Sequence, residues 1–204
     1  LDVPFQHGDD EILRRMGRQG RREEYLALVR RLREALPDIA LRSTFILGFP
    51  GEGRNHFRHL LSFLEEAQLE WVGFFPYSRE PWAPSSRFPG QVPSRIVERR
   101  LEEACALQQR IALERQRRWL GRILPVLVEA APPREGGLWR GRSPREAPEI
   151  DGHIEFSSFT PLALGSIVPV RIEKATPWVL KGSLCGEAVH PGKEGKTWWS
   201  ASRF

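Results

Sequence analysis

Apolar positions in the first half of the chain switch repeatedly between two periods. Leu1, Val3 and Phe5 alternate with Asp2, Pro4 and Gln6, the period-two signature of a strand running to His7. Gly8-Asp9-Asp10 makes a turn, and either aspartate is placed to cap the short helix whose stripe is Ile12, Leu13 and Met16 and which Gly17 ends. A longer helix is predicted from about Glu23 to Leu36, with Tyr25, Leu26, Val29, Leu32 and Leu36 inward, until Pro37-Asp38 breaks it. Thr44 to Leu47 then reads as a buried strand cut off by Gly48-Phe49-Pro50-Gly51, and Phe57, Leu60, Leu61, Leu64 and Ala67 restart helical spacing. Trp71 to Arg79 is the next strand. Pro81, Pro84, Pro89 and Pro93 stiffen an irregular connection before a long helix, about Ser94 to Leu120, with Ile96, Val97, Leu101, Ala104, Leu107, Ile111 and Leu113 apolar. The order strand, helix, helix, strand, helix, strand predicts an α/β unit with a parallel sheet or part of a β/α barrel.

The pattern changes after Gly121. Ile123 to Glu129, Leu138 to Gly141, His153 to Phe156 and Ile167 to Lys174 are short strand-like runs separated by Gly, Pro and Ser, which predicts a small all-β barrel. A boundary near Arg122 divides the chain into residues 1–121, a barrel over 122–188 and a polar, aromatic tail over 189–204 without periodicity, expected to be disordered.

Charge adds a preference for partners. The 204 residues carry a net charge of +5, which suits an anionic partner such as RNA. Cys105 and Cys185 are the two cysteines, too far apart for a metal-ligand pair and too few for a disulfide framework, so a reducing, cytoplasmic setting is expected, with no membrane. Leu1 falls directly in a strand-like segment, so the chain reads as a piece that begins inside a domain.

Candidate chemistry gathers at the turn after the Thr44–Leu47 strand, because strand ends that lead through glycines into a helix present backbone N–H groups to ligands. Gly48 to Asn55 nearly matches a phosphate-binding P-loop, but lacks the lysine and the magnesium-holding hydroxyl. Arg14, Arg15, Arg18, Arg21 and Arg22 form either a solvated helix face or a guanidinium aimed at an anion. His7 reads as a proton donor or a structural hydrogen-bonding residue, and Glu52 as a ligand contact or a stabilising acid at a helix N-terminus. His56 and His59 share a helix face but lack a third ligand, and Cys105 reads as a small packing residue.

Four separated stretches carry a resemblance. Asp2-Val3-Pro4-Phe5-Gln6-His7 with Ile12 to Arg18, Thr44 to Glu52, Phe75-Pro76-Tyr77-Ser78-Arg79-Glu80, and the basic barrel region resemble, in that order, the radical SAM methylthiotransferases and their C-terminal TRAM domain. Gly141-Arg142-Ser143 followed by Glu146-Ala147-Pro148-Glu149-Ile150-Asp151-Gly152 is similar to the RimO branch, which modifies an aspartate of a small-subunit ribosomal protein, rather than to the tRNA-modifying MiaB branch. The resemblance implies the C-terminal part of a radical SAM partial barrel followed by a TRAM barrel, with S-adenosyl-L-methionine (SAM) and [4Fe-4S] clusters as cofactors. It implies SAM contacts from Gln6 to the ribose, Arg18 to the carboxylate, and the backbone of Gly48, Phe49 and Pro50 along the adenine. Arg142, Glu149 and Asp151 become the expected substrate contacts, with RNA contact through the TRAM barrel a further expectation. Two departures stand out: Gly53 replaces the family's usual hydroxyl residue, and the Cys-x-x-x-Cys-x-x-Cys cluster motif is absent, so no catalytic or metal-ligating residue is assigned and the chain alone is expected to be inactive. A tRNA methylthiotransferase, or a non-catalytic RNA-binding module if the chain is complete, are the alternatives.

Overall fold

A computed structural model describes residues 1–134 and 136–186; the expectation for the 189–204 tail lies outside these residues. The described residues form two compact units, Leu1–Arg118 with Thr176–Trp178, and Trp119–Ala175 with residues 179–186.

The first unit contains helices α1 (Asp10–Arg15) and α2 (Arg22–Ala35), strand β1 (Arg42–Leu47), helix α3 (Arg54–Ala67), strand β2 (Trp71–Pro76), a 3-10 turn (Pro84–Arg87) and helix α4 (Ser94–Arg117). β1 and β2 pair in parallel, from Arg42 opposite Trp71 to Leu47 opposite Pro76. The leading segment, predicted as a strand, makes only two isolated parallel bridges to β1, Asp2 with Arg42 and Gln6 with Phe45. Pro4 has no N–H to give to a ladder, and Gln6, at φ 71°, has left the extended conformation. Val3 and Phe5 do face inward, whereas Leu1 is exposed.

Helices α2, α3 and α4 pack into one core with the inner face of the sheet. Phe5, Phe45 and Leu47 meet Phe57, Leu60, Phe63 and Leu64 of α3 and Val97, Ala104, Leu107 and Ile111 of α4. Phe63 takes Phe5 and Phe45 edge-on at 5.5 and 5.9 Å between centroids, the arrangement that ring quadrupoles favour. On the opposite face Thr44, Ile46 and Gly73 are only half-buried and Phe75 is 55% exposed. A parallel sheet normally has both faces covered, so this face is the open side of the unit. Two inward assignments fail: Leu36 lies beyond the end of α2 and is exposed, and Cys105 is on the solvent side of α4, not a packing residue.

The amino ends of the strands are tied by a buried carboxylate. Glu70 accepts from the Leu41 N–H at 2.9 Å and pairs with Arg115, whose Nε lies 2.6 Å away. Arg33 donates to the carbonyls of Ala67 and Gln68 at 2.7 and 2.6 Å, satisfying groups that the end of α3 leaves open.

The second unit is a closed barrel of strands β3 (Ile123–Ala130), β4 (Trp139–Arg142), β5 (His153–Ser157), β6 (Ile167–Ala175) and β7 (Val179–Leu184), in the order β3-β4-β5-β7-β6. Leu124, Val126, Val128, Ile154, Phe156, Val168, Val170, Ile172 and Leu180 fill it. β7 is an element that the hydrophobic pattern does not disclose, because Lys181, Gly182 and Ser183 interrupt its apolar run. Gly182 is required there: a Cβ would stand 2.0 Å from the Arg171 carbonyl oxygen. The α/β unit followed by a small all-β barrel agrees with the predicted fold class.

Candidate functional site

The carboxyl ends of three parallel segments, at Gln6, Leu47 and Pro76, lie side by side at one pole of the first unit, where open α/β sheets bind ligands. Gln6 alternates with the buried residues Phe5 and His7 and is itself only half-buried; its side chain makes no hydrogen bond among the described residues. Its φ of 71° is the left-handed conformation, which costs a non-glycine residue about 1–2 kcal/mol.

The turn after β1 is held from inside by Glu52. Its Oε2 accepts from the Gly48 N–H at 2.8 Å, and its Oε1 pairs with Arg100 Nη1 of α4 at 2.7 Å; the same Nη1 donates to the Glu52 carbonyl at 2.9 Å. His7 Nδ1 accepts from the Asp9 N–H at 3.0 Å, which leaves the ring proton on Nε2, 3.5 Å from Glu52 Oε2. Both side chains are fully buried, so His7 and Glu52 serve the turn's architecture. The P-loop likeness ends here: the N–H that would cradle phosphate faces a carboxylate.

Outer contacts fix the same turn. Gly48 and Gly51 have φ of 79° and 89°, and a Cβ on Gly48 would fall 2.4 Å from Val97 Cγ2. Arg15 Nε donates to the Pro50 carbonyl at 3.0 Å and the Gly51 N–H to the Gly90 carbonyl at 2.8 Å. The Phe49 ring meets Tyr77 edge-on at 5.2 Å. The Gly48 N–H and the Phe49 and Pro50 carbonyls are therefore occupied by the protein itself, while the Gly48 carbonyl and the Phe49 N–H have no protein partner among the described residues. Arg18 stands exposed after α1, without an ion pair among the described residues. Of the five arginines in its run, Arg15 is the one that reaches the turn; nothing in the spacing singles it out.

Gly53 begins α3 without a side-chain cap, and His56 Nδ1 accepts from its N–H at 3.0 Å. His59 Nδ1 lies 2.6 Å from Asp9 Oδ2, and His56 Nε2 lies 3.3 Å from Glu11 Oε2. Among the described residues no group of three His, Cys, Asp or Glu can hold a metal ion. These residues do not fit a [4Fe-4S] cluster.

In the barrel unit, Glu146 is buried and accepts from the Ser143 N–H and hydroxyl at 2.8 and 2.6 Å. Asp151 Oδ2 accepts from the Ala147 N–H at 2.9 Å, closing the loop on itself. Arg142 Nε pairs with Glu129 at 2.5 Å. Of the three expected substrate contacts, only Glu149 is exposed and without a partner among the described residues, on a backbone at φ 64°.

The Radical SAM superfamily model matches residues 1–64, and the TRAM domain model matches residues 120–185. A Roseiflexus castenholzii protein named ribosomal protein uS12 methylthiotransferase RimO is 49% identical over 189 residues, covering 91% of this chain and 39% of the relative. Proteins of the same name from Heliobacterium modesticaldum and Synechococcus sp. are 46% and 45% identical, covering 95% and 90% of this chain and 41% and 39% of those relatives. The chain thus spans about two fifths of the length of the curated relatives it matches. No helix among the described residues is long and apolar enough to cross a membrane. With both domain models in order and this identity along nine tenths of its length, the chain belongs to the radical SAM methylthiotransferase family, on the RimO branch.

Proposed function

We propose that this chain works in a cytoplasmic radical SAM enzyme that places a methylthio group on an aspartate of ribosomal protein uS12. The observation that carries the reading is the identity of 45–49% to proteins of that name, running through both units. The open pole supports it. Gln6 is unpartnered and strained, fit for a carboxamide that binds a ribose hydroxyl. The Gly48 carbonyl and Phe49 N–H, on buried residues next to the buried Pro50, are one acceptor and one donor without a protein partner among the described residues, the pair that an adenine edge requires. Arg18 offers a guanidinium for the methionine carboxylate of SAM. SAM, when bound, would supply a sulfonium that an electron from outside this chain cleaves to a radical, and a separate SAM molecule would supply the methyl group; this chain's part would be to hold and orient SAM.

In the barrel unit, exposed Glu149 offers a carboxylate to a basic ribosomal protein, while Asp151 and Arg142 are engaged with Ala147 and Glu129. Exposed Arg140, Arg171 and Lys174 add an RNA-facing potential. The test supplies the full-length protein, reconstituted with iron, sulfide and SAM, with uS12 or with tRNA, and looks for the methylthio mass increment. Modification of uS12 supports the proposal; modification of tRNA alone overturns it.

A further inference from the structure

Gln6 is held at the strand end through its backbone. Its N–H donates to the Thr44 carbonyl and its carbonyl accepts from the Ile46 N–H, each at 2.9 Å. With its side chain unbonded among the described residues, the direction of the carboxamide is set by the backbone at φ 71°. A non-glycine residue keeps that conformation only where its neighbours over-determine it. The next residue, His7, does so.

His7 is fully buried. Its Nδ1 accepts from the Asp9 N–H at 3.0 Å, which folds the segment after Gln6 back onto the ring. Gly8, between them, is packed so closely that a Cβ would stand 2.5 Å from Phe63 Cβ, so this segment has no room to shift toward α3. The remaining ring proton, on Nε2, has no hydrogen-bond partner and lies 3.5 Å from Glu52 Oε2. N–H···O bonds extend to about 3.2 Å, so this contact falls just short of one. The same oxygen accepts from the Gly48 N–H at 2.8 Å. A buried N–H without a bond is a cost that an apolar side chain of similar size would avoid. What a histidine supplies here is a link: one ring pins the segment after Gln6 and faces the carboxylate that holds the turn after β1. Arg15 and the His56–Glu11 pair brace that turn from α1, which leaves the strand end to His7.

We infer that His7 is a positioning residue for SAM: acting through Gln6 on one side and Glu52 on the other, it fixes the Gln6 carboxamide relative to the Gly48 carbonyl and Phe49 N–H. It thereby sets the spacing between the ribose and adenine contacts while touching no ligand itself. This rests on the SAM reading of the pole given above and names the residue that regulates its geometry.

The experiment uses the full-length protein, reconstituted with iron and sulfide, as unsubstituted, His7→Asn, His7→Gln, His7→Leu, Gln6→Ala and doubly substituted His7→Asn/Gln6→Ala forms. SAM binding is measured by anaerobic titration calorimetry, uS12 binding by titration of a fluorescein-labelled protein, and folding by thermal melt. Asn keeps an acceptor for the Asp9 N–H, whereas Gln keeps a donor directed at Glu52. The expected result for His7→Asn is a rise of at least about fivefold in the Kd for SAM, with the Kd for uS12 unchanged. His7→Gln recovers most of that loss. In the Gln6→Ala background, His7→Asn is expected to add less than its single effect, because part of it acts through Gln6. A structural role alone would lower the melting temperature and leave the SAM Kd unchanged, and that result overturns the inference. Single effects that multiply in full in the double variant also overturn it. Should His7→Asn fail to fold, His7→Leu, which fills the same space, takes its place with the same expected rise, and an unchanged Kd there is equally fatal. If the unsubstituted protein binds no SAM, the reading of the pole falls and this inference with it; an unchanged Kd in a variant of a SAM-binding parent overturns this inference alone.

Discussion

At the scale of single residues, the pole is governed by one buried charge and one strained backbone. Glu52 has no solvent contact, and its carboxylate is shared by Arg100 and the Gly48 N–H. Replacing it by Ala strands the Arg100 guanidinium and an N–H in the interior, and breaking a buried pair in this way costs roughly 3–5 kcal/mol. The urea midpoint of Glu52→Ala is expected to fall accordingly, and Glu52→Gln with Arg100→Met to recover a large part of it. An unchanged midpoint in Glu52→Ala refutes the role given to this pair. Gln6 poses the opposite case. Gln6→Gly relieves the positive φ and is expected to gain up to about 1 kcal/mol of stability while weakening SAM binding, measured by thermal melt and by isothermal titration. A variant with weaker binding and lower stability would show Gln6 to be an ordinary structural residue. The sequence discloses the turn and the type of residue at Gln6, because period and glycine spacing are local properties. It does not disclose Glu52 as internal to the turn: its partner Arg100 is forty-eight positions away on a helix face that looks solvated by pattern.

At the scale of elements, the stop and start signals were the most legible part. Asp9 caps α1, accepting from the N–H groups of Glu11 and Ile12 at 2.9 and 3.1 Å. Burial pushes its carboxyl up, but the hydrogen bond from His59, the Ile12 N–H and the nearby His56 and His7 outweigh this and hold it below its ordinary 3.8. A carboxyl depressed in the folded state contributes stability that is present above its unfolded value and lost as pH falls through its folded value. Stability is therefore expected to drop as pH is taken below about 4, and Asp9→Asn, which keeps the cap, to flatten that part of the profile. Asp9→Ala is expected to lose about 1–2 kcal/mol at neutral pH. Identical acid limbs in the parent and Asp9→Asn proteins, followed by urea denaturation, would remove Asp9 from the account. Elements whose pattern is interrupted were lost: Pro4 turns the first strand into isolated bridges, and Gly182 hides β7. In each case the backbone's partner, not the side-chain alternation, decides the outcome.

At the scale of the whole molecule, the two units differ in how their sheets are finished. The barrel of residues 119–186 closes on itself and fills its interior with ten buried apolar side chains, Leu124, Trp139 and Phe156 among them. Closure leaves no strand edge for another chain to pair with. In the first unit, helices α2, α3 and α4 pack with the inner face; the other presents Ile46 and Phe75, and β2 has no second neighbour among the described residues. An open parallel sheet of this kind offers both an apolar face and an unpaired edge. Expressed apart, residues 119–186 are thus expected to give a dispersed amide spectrum and one cooperative thermal transition. Residues 1–118 are expected to bind the dye ANS and to associate as concentration rises, as read by dye fluorescence and sedimentation velocity. Phe75→Lys, on the open face, should reduce that dye binding without lowering the helical signal. A monodisperse, dye-free 1–118 would mean that its helices suffice to finish the sheet, and the open pole would then be a shallow surface and not the wall of a larger cavity.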